Sequence, residues 1–183
     1  MIRLQNITVR FGEKTVFDHA SFELPGEGVV LITGESGIGK TTFLRILAGL
    51  QPIETGSIEG MRDRKISVAF QEPRLLEWRT AEDNVSLVSD RETAKRLLKR
   101  VGLDAERNTM AMNLSGGQKQ RVSIARAFAY SSDAVLLDEP FTGLDEANKR
   151  IIAELIETAG LAIVVSHESL DGYPIRIAKK ITL

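Results

Sequence analysis

Nine consecutive residues, Gly34-Glu35-Ser36-Gly37-Ile38-Gly39-Lys40-Thr41-Thr42, constrain the fold more than any other stretch of the chain. They fit the pattern Gly-x-x-x-x-Gly-Lys-[Ser/Thr], with Gly34, Gly39, Lys40 and Thr41 at the fixed positions. Gly28-Val29-Val30-Leu31-Ile32-Thr33 precedes them, an apolar and β-branched run that reads as a buried strand. Phe43, Leu44, Leu47 and Leu50 follow at helical spacing. Glycines let a loop bring its backbone N–H groups close to phosphate oxygens. The N-terminus of the following helix adds about half a positive charge. In this pattern Lys40 is placed to reach the β- and γ-phosphates and the Thr41 hydroxyl to ligate Mg²⁺. The stretch therefore predicts binding of a nucleoside triphosphate. The alternative, a Gly-Ser turn into a helix with an exposed lysine, leaves both flanks unexplained.

The rest of the chain supplies a scaffold of the expected size. With 183 residues, one domain with a small insert is expected, burying about 70% of its unfolded surface. Basic residues number 24 and acidic ones 25, a net charge of −1. That balance offers no broad capture of nucleic acid or of an anionic membrane, and no nucleic-acid partner is expected. The absence of cysteine excludes disulfides and thiolate metal sites. Met1 to Asn6 lacks a signal-peptide pattern, and no apolar run reaches membrane-spanning length. A cytoplasmic location is expected, with any membrane role requiring another chain as anchor.

In chain order, residues 2–9 and Thr15 to Leu24 read as strands joined by a turn at Phe11-Gly12-Glu13-Lys14. Gly49 and Pro52 close the helix after the glycine loop. Short strands are expected at 56–60 and at Ile66 to Phe70, the latter delivering Gln71. Residues 72–114 read as a helical insert. Within it, Ala94, Leu97, Leu98 and Val101 form one helix face, and Arg91, Lys95, Arg96 and Lys99 a solvated one. Ser115 is a natural N-cap for a helix running to about Tyr130. Ala134 to Pro140 is an apolar strand ending in Asp138-Glu139. Asp145 caps a helix with a core face of Ile151, Ile152, Leu155, Ile156 and Ala159. Leu161 to Val165 is a further strand, delivering Ser166-His167. A brief helix and a closing pair of strands are expected after it. Alternating strands and helices predict an α/β fold with a mainly parallel sheet. Lys40, Gln71, Asp138-Glu139 and His167 then all lie at strand ends, where ligands sit in such sheets.

Two adjacent carboxylates at the end of an apolar strand are costly unless a cation uses them or the strand simply reaches water there. A nucleotide-held Mg²⁺, which takes oxygen ligands, is a fitting partner for Asp138. Ser115, Gly116, Gly117 and Gln118 open another helix and so form a second anion cradle in addition to that of Lys40. One nucleotide needs one cradle from its own chain, so a two-fold pair sharing its nucleotides is the economical arrangement.

The set Gly34 to Thr42, Gln71, Leu114-Ser115-Gly116-Gly117-Gln118, Leu137-Asp138-Glu139-Pro140, Gly143-Leu144-Asp145 and His167 resembles the ATP-binding-cassette ATPases, in the family's order. The resemblance runs from about Ile2 to the end of the chain. It implies a P-loop ATPase fold, mixed and mainly parallel, with residues 1–183 forming one domain and a helical subdomain at about 72–114 inserted in a RecA-like core. It implies Mg²⁺-dependent hydrolysis of ATP. Glu139 then resembles the general base for the attacking water, a role typically worth 10²–10⁴ in rate. Gln71 resembles the residue that senses Mg²⁺ and water, and His167 the one that contacts the γ-phosphate; a lone histidine is more often a packing residue, and the motif context reverses that. Phe11 lies where the family stacks an aromatic, usually tyrosine, on adenine; a core-facing Phe11 is the alternative. The family arrangement implies an ATP-dependent homodimer, or pairing with a similar cassette, in head-to-tail fashion.

Gln71 to Thr80, followed by Asn84-Val85, is similar to importer cassettes of the nitrate, sulfonate and taurine group. There this surface receives a helix of a membrane-spanning permease, which implies docking near Leu75–Val85 and a peripheral position on the inner face of the cell membrane. Trp78 either belongs to that apolar docking cluster or fills the core of the helical insert. Pro73 and Glu77 differ from the usual importer wording, and only Glu168 to Leu183 follow His167, so no regulatory domain is expected. The implied function is the ATP-hydrolysing subunit of a membrane transporter, with an importer preferred. The alternative is a soluble single-cassette ATPase serving an assembly process such as iron-sulfur cluster biogenesis.

Overall fold

The computed structural model describes residues 1–183. Its strands divide into two sheets. The first is antiparallel, in the order β2 (Lys14–Leu24), β1 (Ile2–Phe11), β4 (Thr55–Glu59). The second is wholly parallel, in the order β5 (Ile66–Ala69), β6 (Ala134–Asp138), β7 (Leu161–Val165), β3 (Gly28–Thr33), β8 (Ile177–Thr182). The mixture of strand directions expected from the sequence is thus a separation into two sheets.

Alternation along the parallel strands sorts the core into two layers, because successive side chains point to opposite faces. Val30, Ile32, Leu136, Ile163 and Val165 face α1 (Lys40–Leu47) and the antiparallel sheet, where Phe43 packs edge-on against Phe17 and Phe22. Val29, Leu31, Val135, Leu137, Ala162 and Val164 face the opposite way. That second layer holds α4 (Gly116–Ala129), α5 (Glu146–Glu157) and, farther along, α2 (Ala81–Ser86) and α3 (Arg91–Arg100). Within residues 72–114, Ala94, Leu97, Leu98 and Val101 are buried, and α2 and α3 pack on each other and on α4.

Local chemistry sets the helix limits. Thr80, Asp90, Ser115 and Asp145 each accept a hydrogen bond from a backbone N–H of the first turn. At Ser115 the cap is reciprocal, since the Gln118 side chain accepts from the Ser115 N–H. Gly49, at φ +70°, ends α1 in the left-handed region and turns Leu50 out to solvent, so Leu50 does not extend the apolar face of that helix.

The C-terminal region departs from expectation twice. A single strand, β8, forms there rather than a pair, and it adds in parallel to β3. Residues 166–174 form bends and turns rather than a brief helix. Ser169 accounts for part of this, because its hydroxyl bonds both the Asp171 N–H and the Asp171 carboxylate. Such local bonds compete with helix formation.

Candidate functional site

Four neighbouring strands of the parallel sheet end on one cleft of about 490 Å³. It is lined by Ser36, Gly37, Gly39, Lys40, Thr41, Thr42, Gln71, Asp138, Glu139, Thr142 and His167. No apolar side chain lines it. A cleft of that composition suits a polyanion with its counter-ion better than an apolar ligand.

The loop after β3 is held by its own lysine. Lys40 Nζ donates to the carbonyls of Gly34 at 2.8 Å and Glu35 at 2.9 Å. Gly39 stands at φ +120°, and a Cβ there would lie 2.6 Å from Val16 Cγ1 of β2. Any other residue would be strained in that backbone conformation and would displace the Val16 side chain of the β1–β2 hairpin. Phe11, at the other end of that hairpin turn, is 47% exposed and outside the cleft lining, so it is not core-facing.

Asp138 ends β6 with only 2% of its surface exposed. Its Oδ2 accepts the Thr41 hydroxyl at 2.8 Å, while Oδ1 is buried without a partner. Burial pushes the Asp138 carboxyl above the usual carboxylate range, and the adjacent Glu139 carboxylate adds to this; the Thr41 bond, Arg45 and Lys40 oppose it. A buried, unsatisfied carboxylate oxygen beside a hydroxyl and the glycine-rich loop fits a hard divalent cation. No group of three acidic or histidine side chains is placed to hold a metal ion by itself, so most of the ligands of such an ion would come from phosphate and water.

Glu139 takes a left-handed conformation, φ +51°, which costs a non-glycine residue on the order of 1–3 kcal/mol. Its N–H donates to the Val165 carbonyl at 2.9 Å, tying the turn to β7. The side chain, 12% exposed, meets His167 just past the end of β7. Glu139 Oε2 lies 2.8 Å from His167 Nδ1 and accepts the His167 backbone N–H at 3.3 Å. With Nδ1 donating to the carboxylate, Nε2 is left for a ligand.

The structure brings Lys40, Thr41, Gln71, Asp138, Glu139 and His167 into one cleft. Gly34, Glu35 and Ile38 shape its loop without lining it. Ser115, Gly116, Gly117 and Gln118 stand apart from it at the start of α4, where a Cβ on Gly117 would lie 3.0 Å from the Gly143 carbonyl. Within one chain this helix start does not line the cleft. Trp78 is 69% exposed and does not fill the helical core. Its loop is held from beneath by fully buried Asn84, whose side chain accepts from Leu76 N–H and donates to the carbonyls of Leu76, Arg79 and Thr80.

Sequence reasoning missed Thr142, which lines the cleft one turn after Glu139. It also missed Arg126, which donates to the carbonyls of Pro73 and Arg74 and so braces the loop after Gln71. The spacing from Asp138 marks Thr142 in retrospect. No local pattern marks Arg126, whose targets lie about fifty residues away.

Comparison with known proteins agrees with this geometry. Residues 17–142 match the ABC transporter family. A Haemophilus influenzae protein described as an uncharacterized ABC transporter ATP-binding protein is 35% identical, covering 99% of this chain and 80% of its own length. An aliphatic sulfonates import ATP-binding protein of Frankia alni is 43% identical, covering 90% and 72%. The chain spans 61% and 59% of two longer proteins of the same description. Among solved structures, a dimeric ATP-binding cassette in a post-hydrolysis state bound to ADP and Pi superimposes with a TM-score of 0.81 at 30% identity, covering 92% of this chain and 88% of that one.

Proposed function

The chain belongs to the ABC transporter ATP-binding family, and from that premise we propose that it is the ATP-hydrolysing subunit of a membrane importer, closing as a dimer on shared nucleotides. The observation that carries the reading is the division of the phosphate-binding parts. Lys40, Asp138, Glu139 and His167 share a cleft from which the Ser115–Gln118 helix start is absent. A second copy supplies that helix start, which supports a head-to-tail pair.

In this reading the loop Gly34 to Thr42 cradles the phosphates of ATP through backbone N–H groups, with Lys40 leaving its loop carbonyls for the β- and γ-phosphates. Thr41 and Asp138 would hold Mg²⁺, with Gln71 at the edge of its site, and when bound the ion would supply neutralisation of charge on the phosphate oxygens. Glu139 accepts a proton from the attacking water, and its strained backbone aims the carboxylate into the cleft. His167, oriented by Glu139, presents Nε2 to the γ-phosphate. Phe11 stacks on the base at the rim. Residues 72–114 act as a helical subdomain, and its exposed Trp78 with half-buried Leu75 and Leu76 receives a permease helix. The proposed position is peripheral, on the cytoplasmic face of the membrane beside that permease; no helix of this chain is long and apolar enough to cross a membrane.

Recovery of tagged protein from its native host in mild detergent tests the importer reading. A multispanning chain is expected in stoichiometric amount. Recovery of soluble assembly factors alone would instead favour a cassette ATPase of an assembly process.

A further inference from the structure

The segment after His167 is fastened to one face of α5. Glu146, Lys149 and Arg150 occupy neighbouring positions of that helix, three and four residues apart. Lys149 Nζ meets Glu168 Oε2 at 2.5 Å and lies 3.6 Å from Glu146. Tyr173 donates its hydroxyl to Glu146 at 2.8 Å, stacks on buried Phe141, and has the Arg150 guanidinium 6.0 Å from its ring centre. Lys149 and Glu168 are 15% and 28% exposed in their side chains, unlike most of the ion pairs of this chain, which have at least one partner well exposed.

The fastening acts on a short lever. Glu168 is the residue next to His167, and its N–H donates to the hydroxyl of buried Ser166. His167 itself is 62% exposed in its side chain, and the contact with Glu139 is its only side-chain hydrogen bond. With residues 166–174 in turns, no helix fixes the direction of the chain after β7. The hold on Glu168 supplies that direction. The loop from Glu139 to Asp145 enters α5 directly, so the helix that grips Glu168 is also the one that follows Glu139.

We propose that Lys149 is a positioning residue for ATP hydrolysis: through its ion pair with Glu168 it holds His167 in register with Glu139 and the cleft. The proposal rests on the reading of His167 as a site residue. Lys149 is not among the residues lining the cleft, and the direct route from it to the site runs through the Glu168–His167 peptide. Small misplacements of catalytic groups cost up to about 10²-fold in rate. Loss of one of two holds on His167 is expected to cost about tenfold.

The test is a double-mutant cycle on the full chain, with steady-state hydrolysis of Mg·ATP and a thermal melt for each variant. Lys149→Met is expected to lower kcat about tenfold with KM changed less than twofold, and Lys149→Arg to restore most of it. In a His167→Ala background, Lys149→Met is expected to change nothing further. An equal loss in both backgrounds, or no loss in the wild-type background, would overturn the proposal. A KM effect without a kcat effect would do the same. Full activity in His167→Ala alone would remove the site reading and the proposal with it. Glu168→Gln, a milder change that keeps the side-chain volume, is expected to match Lys149→Met and covers the case in which the latter fails to fold.

Discussion

Replacing Asp138 by Asn separates the stability of the fold from the proposed binding of Mg²⁺. In the wild-type chain the Asp138 carboxylate is 2% exposed, has one oxygen satisfied by Thr41, and keeps the other unpaired. An unsatisfied buried polar atom costs about 1–3 kcal/mol and a charged one more. Asn retains an oxygen for Thr41 and leaves a neutral amide nitrogen in the unpaired place, so the ligand-free protein should gain only the excess cost of a charged over a neutral unsatisfied group, about 1–2 kcal/mol. For a chain of this size that is about 2–8 °C in Tm. The pH dependence has a definite sign. Because burial raises the folded-state pKa of Asp138, ionisation is disfavoured in the folded state. The wild-type penalty grows as pH rises from the ordinary carboxylate value through the raised one, so the advantage of Asn should be largest at neutral pH and shrink as pH falls toward 4. Addition of Mg·ATP should reverse the order. Saturation at 100 times Kd stabilises a binding protein by about 2.7 kcal/mol, and the Asn variant should lose the Mg²⁺-dependent part of that shift. Thermal melts with and without Mg²⁺, with ATP present in both, at pH 7.5 and pH 5 read all of this. A lower ligand-free Tm for Asn, or an intact Mg²⁺-dependent shift, would refute the reasoning.

Other sites give independent tests. Asn84→Ala removes four side-chain hydrogen bonds beneath the Trp78 loop and should cost about 2–4 kcal/mol on the scale of one buried polar network, read as a fall in denaturation midpoint at unchanged m-value. Trp78→Glu should abolish transport in a reconstituted complex and leave basal ATPase within about twofold, since an exposed residue outside the cleft lining carries little folding energy; equal transport would remove the docking site from this surface. Gly39→Ala should abolish nucleotide binding in equilibrium titrations, because its Cβ meets Val16 at 2.6 Å in a backbone conformation already closed to alanine. Tight binding by that variant would contradict the loop geometry.

How much of this was legible in the sequence depends on the range of the interaction concerned. Strands β6 and β7 are buried at every position and therefore read as unbroken apolar runs. The site residues follow these runs directly, so adjacency in a parallel sheet was enough to bring Gln71, Asp138, Glu139 and His167 together with Lys40. Caps at Ser115 and Asp145 were legible because they act within three residues. At the sheet edge the pattern weakens: β8 alternates half-buried Ile177 and Ile181 with exposed Lys179 and Lys180, which does not distinguish one strand from part of a hairpin. The turns at 166–174 depend in part on Ser169, whose side-chain bonds to Asp171 compete with a helix. Lys149, Arg126 and Asn84 read as ordinary polar helix residues. Their partners on the Glu168 segment and in the loop of residues 73–80 are settled only when the helices are placed against those segments.

The central claim is that one chain holds only half of each phosphate site, and the most direct test is the mass of the Glu139→Gln variant in solution. Light scattering after gel filtration should give a monomer without nucleotide and a dimer of twice the mass with ATP. Hydrolysis should fall by about 10²–10⁴ from loss of the proton acceptor, so the dimer persists long enough to be weighed. Adding Ser115→Arg, at an exposed residue of the second cradle, should return the ATP-bound protein to a monomer. A Glu139→Gln chain that binds ATP tightly and stays monomeric at every concentration would contradict the account.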